Sequence, residues 1–260
     1  MKHPRRKLFP KALLRGCLFF VLGSFASLFV STHPTSAQTA SAQKGASGQN
    51  DVLRLDHSVA LFAGINEDAQ VFLSPQSPDP SQRKRTEALG SAWSAALSYR
   101  YRLLPTLAVD VRGEYVSVSR ESTDAIGTPI VHGIQAVLFE SSALFALPFS
   151  TRRFEPYVGG GLGVHVGRRE YGIAGVMAQH VAGTPAIGLH VTVGAEYVLA
   201  AGIGLRFEAI FRDPLMGVEN RFNQPSVSSN GVNYPLYTEP FRSNVNLNGN
   251  VYSLGIFSSF

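Results

Sequence analysis

The residues of this sequence that could do chemistry are few. His190 has a hydroxyl group two residues away on Thr192, and His165 lies in the segment before it, so a base and a nucleophile are both present. No metal-ligand spacing, phosphate-binding glycine loop or Ser-His-Asp order accompanies them, since Gly159–Gly163 alternates like a strand. Two more histidines have no recognisable partners: His132 and His180. The sequence therefore predicts no enzyme, no cofactor and no metal.

A second set of chemically capable residues is ionic. Ten charged side chains, five of each sign, recur at alternate positions within otherwise apolar segments. They are Arg100, Arg102, Asp110, Arg112, Glu114, Glu140, Glu196, Arg206, Glu208 and Arg212. A charge that is withdrawn from water needs an opposite charge and hydrogen bonds beside it. The balanced set therefore predicts a closed, charge-neutral, ion-paired interior, whereas an open ion pore would carry an excess of one sign.

Eight segments with period-two alternation position these charges. Each is about 9–11 residues long, which suits a tilted strand that crosses a membrane. The connections after the second, fourth and sixth strands are short. The other four are long: Glu67–Glu87, Arg120–Val131, Arg168–Thr184 and Asp213–Asn246. We therefore predict an all-β fold, namely an eight-stranded antiparallel up-and-down transmembrane β-barrel with short periplasmic turns and long extracellular loops.

Alternation alone does not say which face of the barrel points inward, because a soluble lipocalin-type barrel alternates too. Here the polar face carries many glycines, which suits the narrow interior of eight strands. Aromatic residues flank the apolar band instead of filling its centre. These features favour apolar side chains facing lipid and ionic side chains facing the lumen, with a lipocalin-type barrel as the alternative. On this prediction, His165 and His190 face the lumen as hydrogen-bonding residues.

Two short turns predict specific ion pairs. If the turns after the second and sixth strands are three-residue loops, the register of both hairpins is fixed. Arg100 then lies opposite Asp110. Glu196 likewise lies opposite Arg206. The same assumption thus predicts a cross-strand ion pair in each of the two hairpins.

The N-terminal residues predict export. A basic cluster is followed by an uncharged apolar run of 13 residues, Leu18–Val30, and then by small residues. This order is typical of a cleaved secretory signal peptide, and the run is shorter than the ~17–25 residues of a membrane-spanning helix. We assign residues 1–37 to the signal peptide, with cleavage as late as residue 42 as an alternative, 38–55 to a disordered leader and 56–260 to the barrel. Removing the six positive charges of the signal from the formal net charge of +5 leaves −1, so the composition gives no reason to expect a nucleic-acid partner.

The terminal strand and several internal stretches carry a family resemblance. The strand places Tyr252, Leu254, Ile256 and Phe260 on one face and ends the chain on an aromatic residue. Together with Phe154-Glu-Pro-Tyr-Val-Gly-Gly-Gly-Leu-Gly163, Leu97–Leu103 and Val193–Tyr197, it resembles the small outer-membrane barrels of the outer-membrane protein A transmembrane-domain type and the generic outer-membrane β-barrel domain family. The resemblance implies a Gram-negative outer membrane, contact with its lipid, a monomer, and assembly by the barrel assembly machinery, for which the four residues would form the signal.

The function predicted from the sequence is that of a largely closed barrel with a structural or surface-display role. Any external ligand, whose identity is open, would then bind the long loops. The candidate loop residues are Arg221, Phe222, Tyr234, Tyr237, Phe241 and Arg242. The alternatives are a small-solute channel and, less favoured, a lipid-modifying enzyme embedded in the barrel.

Overall fold

The computed structural model describes residues 55–260 apart from positions 75, 78, 201 and 248, and the side chains at 80 and 82 are likewise not described. The predicted signal peptide, and the predicted leader up to residue 54, lie outside the described residues. Among the residues described, no helix has the length and apolar composition needed to cross a membrane.

Nearly all of the described chain is β-structure. The elements are β1 (His57–Phe72), α1 (Pro80–Arg83), β2 (Thr86–Leu104), β3 (Leu107–Thr123), β4 (Pro129–Ala146), β5 (Phe154–Ile173), β6 (Val176–Met177), β7 (Gln179–Thr184), β8 (Ala186–Ala200), β9 (Ile203–Arg212), β10 (Leu215–Arg221), β11 (Ser226–Ser229), β12 (Val232–Pro235), β13 (Phe241–Asn246) and β14 (Gly249–Ser259).

Eight of these strands close into a barrel. The antiparallel order β1-β2-β3-β4-β5-β8-β9-β14 returns to β1, so the terminal strand closes the sheet. The closing ladder runs from Ser58 opposite Ser259 to Asn66 opposite Val251. Phe260 adds one more bond, because its backbone amide donates to the His57 carbonyl over 2.9 Å. The predicted eight-stranded up-and-down fold is thereby confirmed.

The outward face of the barrel is apolar. Phe139, Leu162 and Leu254 point outward and are about three-fifths exposed, whereas Arg206 on the opposite face is fully buried. A soluble barrel would bury its apolar face instead. The lipocalin alternative is therefore wrong, and the apolar band suits contact with lipid.

The sheet extends beyond the apolar band at the end that carries the long connections, hereafter the long-loop end. The strands reach 19 residues in β2 and 20 in β5, and three short strands continue the wall as β7, β10 and β13. Much of what the sequence pattern assigned to loops is therefore strand. The phase of the alternation is kept along β3, but the inward positions change in character: charged Arg112 and Glu114 are followed, on the same face, by apolar Val116, which is also buried. A template that requires polar inward positions loses such a segment.

The wall is interrupted where the barrel meets this extension. Pro185 lies between β7 and β8, and Pro214 lies between β9 and β10. Proline has no backbone N–H and therefore ends a ladder. Residues 186–189 of β8 pair with β5, but the ladder between β8 and β9 begins only at His190 opposite Arg212. The barrel thus has a break in its hydrogen bonding on one side.

Candidate functional site

The interior of the barrel has two layers of opposite chemistry. Toward the end with the short connections, hereafter the short-turn end, lies a buried set of charges that we call the ionic plug: Arg100, Asp110, Arg112, Glu114, Glu140, Glu196, Arg206, Glu208 and Arg212. Above it lies an apolar layer that we call the upper core: Ala69, Val71, Leu89, Ala92, Val116, Ile134, Ala136, Leu138, Met216, Val218, Val245 and Leu247. The sequence predicted the first layer and missed the second.

Arg100 is at the centre of the lower half of the plug. Its Nε lies 3.1 Å from Asp110 Oδ2, which is the contact that the turn register predicts. Its other nitrogens lie 2.6 Å from Glu196 Oε1 and 3.1 Å from Glu208 Oε1. The guanidinium group also lies over the ring of Tyr157, 4.4 Å from the centroid. Every N–H-bearing nitrogen of this buried cation therefore faces a carboxylate.

Arg206 completes the second hairpin pair. Its Nη2 lies 2.7 Å from Glu196 Oε1, again the predicted cross-strand contact. Nη1 and Nη2 also donate to the hydroxyl groups of Ser98 and Ser58, over 3.0 and 2.9 Å. The side chain is wholly buried and its charge is shared among groups from several strands. The lower half of the plug is thus a network and not a series of isolated pairs.

The upper half of the plug is built on Arg112 and Arg212. Arg112 Nη1 lies 2.6 Å from Glu208 Oε2, which links the two halves. Arg212 lies 2.9 Å from Glu114 Oε1 and 2.8 Å from Glu140 Oε1. These contacts cross the lumen, because they join β9 to β3 and β4, which are not its neighbours in the sheet. The ion pairs therefore tie opposite walls of the barrel together.

Arg102 departs from the predicted set. Its guanidinium group forms a two-point contact with Glu155, at 2.7 and 3.2 Å, near the short-turn end. Glu155 was not among the ten residues, because the sequence pattern started the fifth strand after the turn at Pro148–Arg153. It lies two residues before Tyr157, on the same face, so alternation could have identified it. The lumen accordingly contains a sixth carboxylate, and its predicted neutrality holds only for the ten residues themselves.

The two lumenal histidines lie beside the upper half of the plug. His190 Nε2 lies 2.6 Å from the hydroxyl group of Ser142, and His165 Nε2 lies 3.3 Å from Glu140 Oε1. Both rings are buried, as is Thr192, and the structure shows no hydrogen bond from Thr192 to His190. Gly163 makes room for the His165 ring, since a Cβ atom there would come within 2.6 Å of its Nε2. These residues pack the lumen, as the sequence predicts for both histidines. His180, the remaining histidine with no recognisable partner, lies on the exposed strand β7.

Cavities in the plug region are small. Two of them, at the short-turn end beside Arg100 and Arg102, have volumes of about 20 and 10 Å³. That is room for about one water molecule each. In the part of the chain that the structure describes, no group of three metal-ligating side chains comes together. The lumen beside Arg100 and Arg102 is therefore closely packed.

A larger crevice lies at the break in the wall. It measures about 370 Å³ and is lined by Leu189, Phe211, Arg212, Asp213, Gly249 and Asn250. Ile187 and Leu189 lie on the part of β8 that does not pair with β9. They are 80% and 75% exposed, more than any other large apolar side chain in the described residues. The crevice is thus a sizeable, open concavity beside the outward apolar band.

Aromatic side chains cluster at the long-loop end. Phe222 and Phe241, two predicted loop-binding residues, stack at 6.0 Å between ring centroids, and both contact Tyr171 of β5. Tyr237 lies 6.2 Å from Phe241 and is 72% exposed. Phe222 is only 2% exposed, so it supports the fold of this end and is not a free surface residue. Two other predicted loop residues are exposed: Arg221 and Arg242.

Tyr234, the last predicted loop residue, anchors a hairpin. Strands β11 and β12 form a separate two-stranded sheet, and the Tyr234 hydroxyl group on β12 donates to Asp124 Oδ2 over 2.5 Å. It also lies 2.8 Å from the Thr128 hydroxyl group, within the turn between β3 and β4. The hydrogen bond from Tyr234 lowers the pKa of Asp124, and burial and the same contact raise the pKa of Tyr234. Two long connections are thus tied to each other.

The closed sheet, the outward apolar band and the lumenal ion pairs define the class of this protein as a small outer-membrane β-barrel. No protein-family model matches the chain. No curated protein matches it either.

Solved structures of this class resemble the chain in fold. The outer membrane protein OprG from Pseudomonas aeruginosa superposes with a TM-score of 0.58 at 14% identity, covering 80% of this chain and 97% of that one. Neisserial surface protein A gives 0.42 at 15% identity, over 79% and 97%. Ail, the attachment invasion locus protein of Yersinia pestis, gives 0.41 at 11% identity, over 80% and 100%. The likeness to OprG, at 14% identity, shows the fold alone.

Proposed function

We propose that this protein is a non-conducting outer-membrane barrel that presents a β-structured binding surface outside the cell. It would be exported by its signal peptide, assembled as a monomer through its terminal strand, and have no enzymatic activity. The observation that carries the proposal is the double closure of the lumen by the ionic plug and the upper core. A solute that crosses would have to break several buried ion pairs and then displace packed apolar side chains, both of which are costly.

Two further observations support a role at the long-loop end. The wall continues past the apolar band as an ordered sheet, and Tyr234 ties two connections together. Binding residues are commonly found on loops that a rigid scaffold holds in place. An extension that served only to cover the barrel would not need this degree of order.

Electrical recording in planar lipid bilayers tests the proposal. The purified wild-type protein should give no steady ohmic conductance. Glu208→Ala should increase the frequency of transient current steps, because Glu208 accepts hydrogen bonds from both Arg100 and Arg112 and thus joins the two halves of the plug. Glu239→Ala, a change at an exposed loop carboxylate, is the matched control and should stay silent. A steady wild-type conductance whose ion selectivity changes in Arg100→Ala or Glu196→Ala would contradict the proposal.

A small-solute channel is the second candidate, favoured by the crevice at the break in the wall. There the β8 edge at residues 186–189 lacks a ladder to β9, beside a volume of about 370 Å³. A solute that entered sideways would bypass the upper core but would still meet Arg212. Uptake into liposomes without steady conductance, abolished by Leu189→Trp and retained in Glu239→Ala, would favour this candidate over the closed barrel.

A further inference from the structure

Arg169 differs from the other buried arginines of this protein. On β5, beyond the outward apolar band that ends at Val166, its side chain points inward and only 4% of its surface is exposed. Each arginine of the ionic plug has at least one carboxylate oxygen within 3.2 Å. Among the residues described, Arg169 has none within the 4.0 Å of an ion pair. The same barrel thus pairs four buried guanidinium groups and leaves a fifth without an anion.

The contacts that Arg169 does make are weak or one-sided. Nη2 lies 3.4 Å from His132 Nδ1, and the guanidinium plane lies over the Tyr171 ring, 4.4 Å from its centroid. Nε is buried and has no hydrogen-bond partner among the described residues. A buried cation in this state is destabilising unless an anion joins it. The cation–π contact replaces part of that stabilisation but supplies no acceptor for Nε.

The surroundings of Arg169 are polar on one side and aromatic on the other. Asn220, fully buried on β10, donates to the Arg169 carbonyl over 3.1 Å, and its Oδ1 has no partner among the described residues. Tyr171 continues into the cluster with Phe222 and Phe241. The site therefore offers a forked cation against one aromatic ring, Tyr171, which is itself part of an aromatic cluster. A planar guanidinium group with free N–H donors is suited to two-point binding of an oxyanion.

The shifted pKa values of Arg169 and His132 are consistent with a buried guanidinium group that lacks a paired anion. Burial lowers the pKa of Arg169 to about 10, and Tyr171 and Glu87 offset only part of that effect. Burial and the charge of Arg169 also lower the pKa of His132, so its ring is neutral near pH 7 and can accept from Arg169. Glu87 is the carboxylate whose charge acts on both groups, but it does not reach ion-pair distance.

We propose that Arg169 is the anchor of a binding site for a small organic carboxylate, whose charged end the guanidinium group binds and whose apolar body contacts Tyr171 and Phe241. The site lies at the long-loop end, at the edge of the upper core, where Arg169 pairs with Ile134, and outside the apolar band. It goes beyond the proposal of a closed barrel, because a conducting barrel could bind the same anion. Bilayer recording can therefore contradict the closed barrel without affecting the anion site, and ligand titration can contradict the anion site without affecting the closed barrel.

Isothermal titration of the detergent-solubilised full barrel with benzoate tests the site. Wild-type protein should bind benzoate, whereas benzamide, the neutral analogue, should give no heat. Arg169→Gln should weaken binding by about tenfold or more, as expected for a lost charge-assisted hydrogen bond. The matched control is Arg168→Gln, since Arg168 is the exposed neighbour whose guanidinium group contacts Gln135 on the outer wall. It should bind like the wild type.

Inorganic phosphate is the second probe. It tests whether the site recognises an organic carboxylate or only negative charge. Phosphate that binds as tightly as benzoate would show that the charge alone is recognised and would overturn the carboxylate assignment. Absence of benzoate binding to the wild type, or equal binding by wild type and Arg169→Gln, would overturn the site itself. Heat-modifiable gel migration checks that each variant is folded. If Arg169→Gln does not fold, Arg169→Lys takes its place and should bind several-fold more weakly, because an ammonium group lacks the fork.

Glu87→Gln gives a change in the opposite direction. Its negative charge acts on Arg169 and competes with a bound anion. Removing that charge should tighten benzoate binding by several-fold. Unchanged or weaker binding in this variant would place the anion elsewhere and contradict the inference.

Discussion

Arg206 and Glu196 meet inside the barrel with Nη2 and Oε1 2.7 Å apart, and the arginine side chain has no solvent exposure. Their strands, β9 and β8, are joined by a short turn, so the pair is local in sequence and wholly buried in space. Replacing Arg206 therefore removes one of the two buried arginines that contact Glu196 and leaves that carboxylate only partly compensated.

Arg206→Ala should lower the free energy of unfolding by about 3–5 kcal/mol, because Glu196 loses a buried partner. The measurement is equilibrium unfolding by urea in lipid vesicles, followed by the fluorescence of Trp93, the sole tryptophan. Arg221→Ala, at an exposed arginine of the long-loop end, is the control and should stay within about 0.5 kcal/mol of the wild type. An equal effect of both changes would mean that the lumenal pair contributes nothing to stability.

Gly194→Ala should destabilise the barrel by about 1–3 kcal/mol through overpacking. A Cβ atom at this inward position would lie 2.5 Å from the Tyr157 hydroxyl oxygen, which donates to Glu208 over 2.8 Å. The ring would have to move and its hydrogen bond would be lost. Gly113→Ala is the matched control: Gly113 faces outward, and its added atom would meet Phe139 at an ordinary 3.7 Å. The urea titration should separate the two variants, and a neutral Gly194→Ala would show that Tyr157 can relocate freely.

Phe139→Arg should hinder folding into lipid, since Phe139 points outward from the apolar band and is 61% exposed. An arginine on the lipid face of a barrel costs about 2–4 kcal/mol near the membrane centre. The folded fraction in vesicles, read from gel migration without heating, measures the effect. Val232→Arg puts the same side chain on the hairpin of the long-loop end and should fold normally. Normal folding of Phe139→Arg would mean that this face does not contact lipid.

The anchor of the hairpin should depend on pH. Asp124 has a lowered pKa in the folded protein, so its contribution is fully present above the pKa of the unfolded chain and is lost as the pH falls through the folded value. Limited proteolysis should therefore cut the connection between β11 and β12 faster at about pH 3 than at pH 7. Tyr234→Phe removes the hydroxyl group that donates to Asp124, so cleavage at pH 7 should be as fast as that of the wild type at about pH 3. Tyr237→Phe, at an exposed tyrosine, is the control, and a pH effect that persists in Tyr234→Phe would point to another group.

The barrel and its nearest ion pairs were predictable from the sequence for a simple physical reason. Period-two alternation identifies the face of each strand, and a tight turn fixes the register of its hairpin. Arg100 with Asp110 and Arg206 with Glu196 both follow from that local geometry. The last strand was recognisable from its own alternation, which continues to Phe260, and it closes the sheet against β1.

Contacts across the lumen were not predictable in the same way. Arg112 with Glu208 and Arg212 with Glu140 join strands that are distant in sequence, and their meeting depends on the stagger of the whole barrel. The upper core was missed because the inward positions change from charged to apolar along a strand. Arg169 was overlooked for a related reason: its segment was assigned to a loop, where a charge needs no partner.

The interruptions of the wall at Pro185, at Pro214 and between β13 and β14 separate two structures with different constraints. Below the interruptions, alternate side chains of each strand must suit either lipid or a crowded ionic interior. Above them, only aqueous surroundings and an apolar filling are required. Substitutions and changes of length can therefore accumulate at the long-loop end without shifting the strand register around the ionic plug. The same membrane-embedded barrel can thus support long-loop ends of different sequence and length.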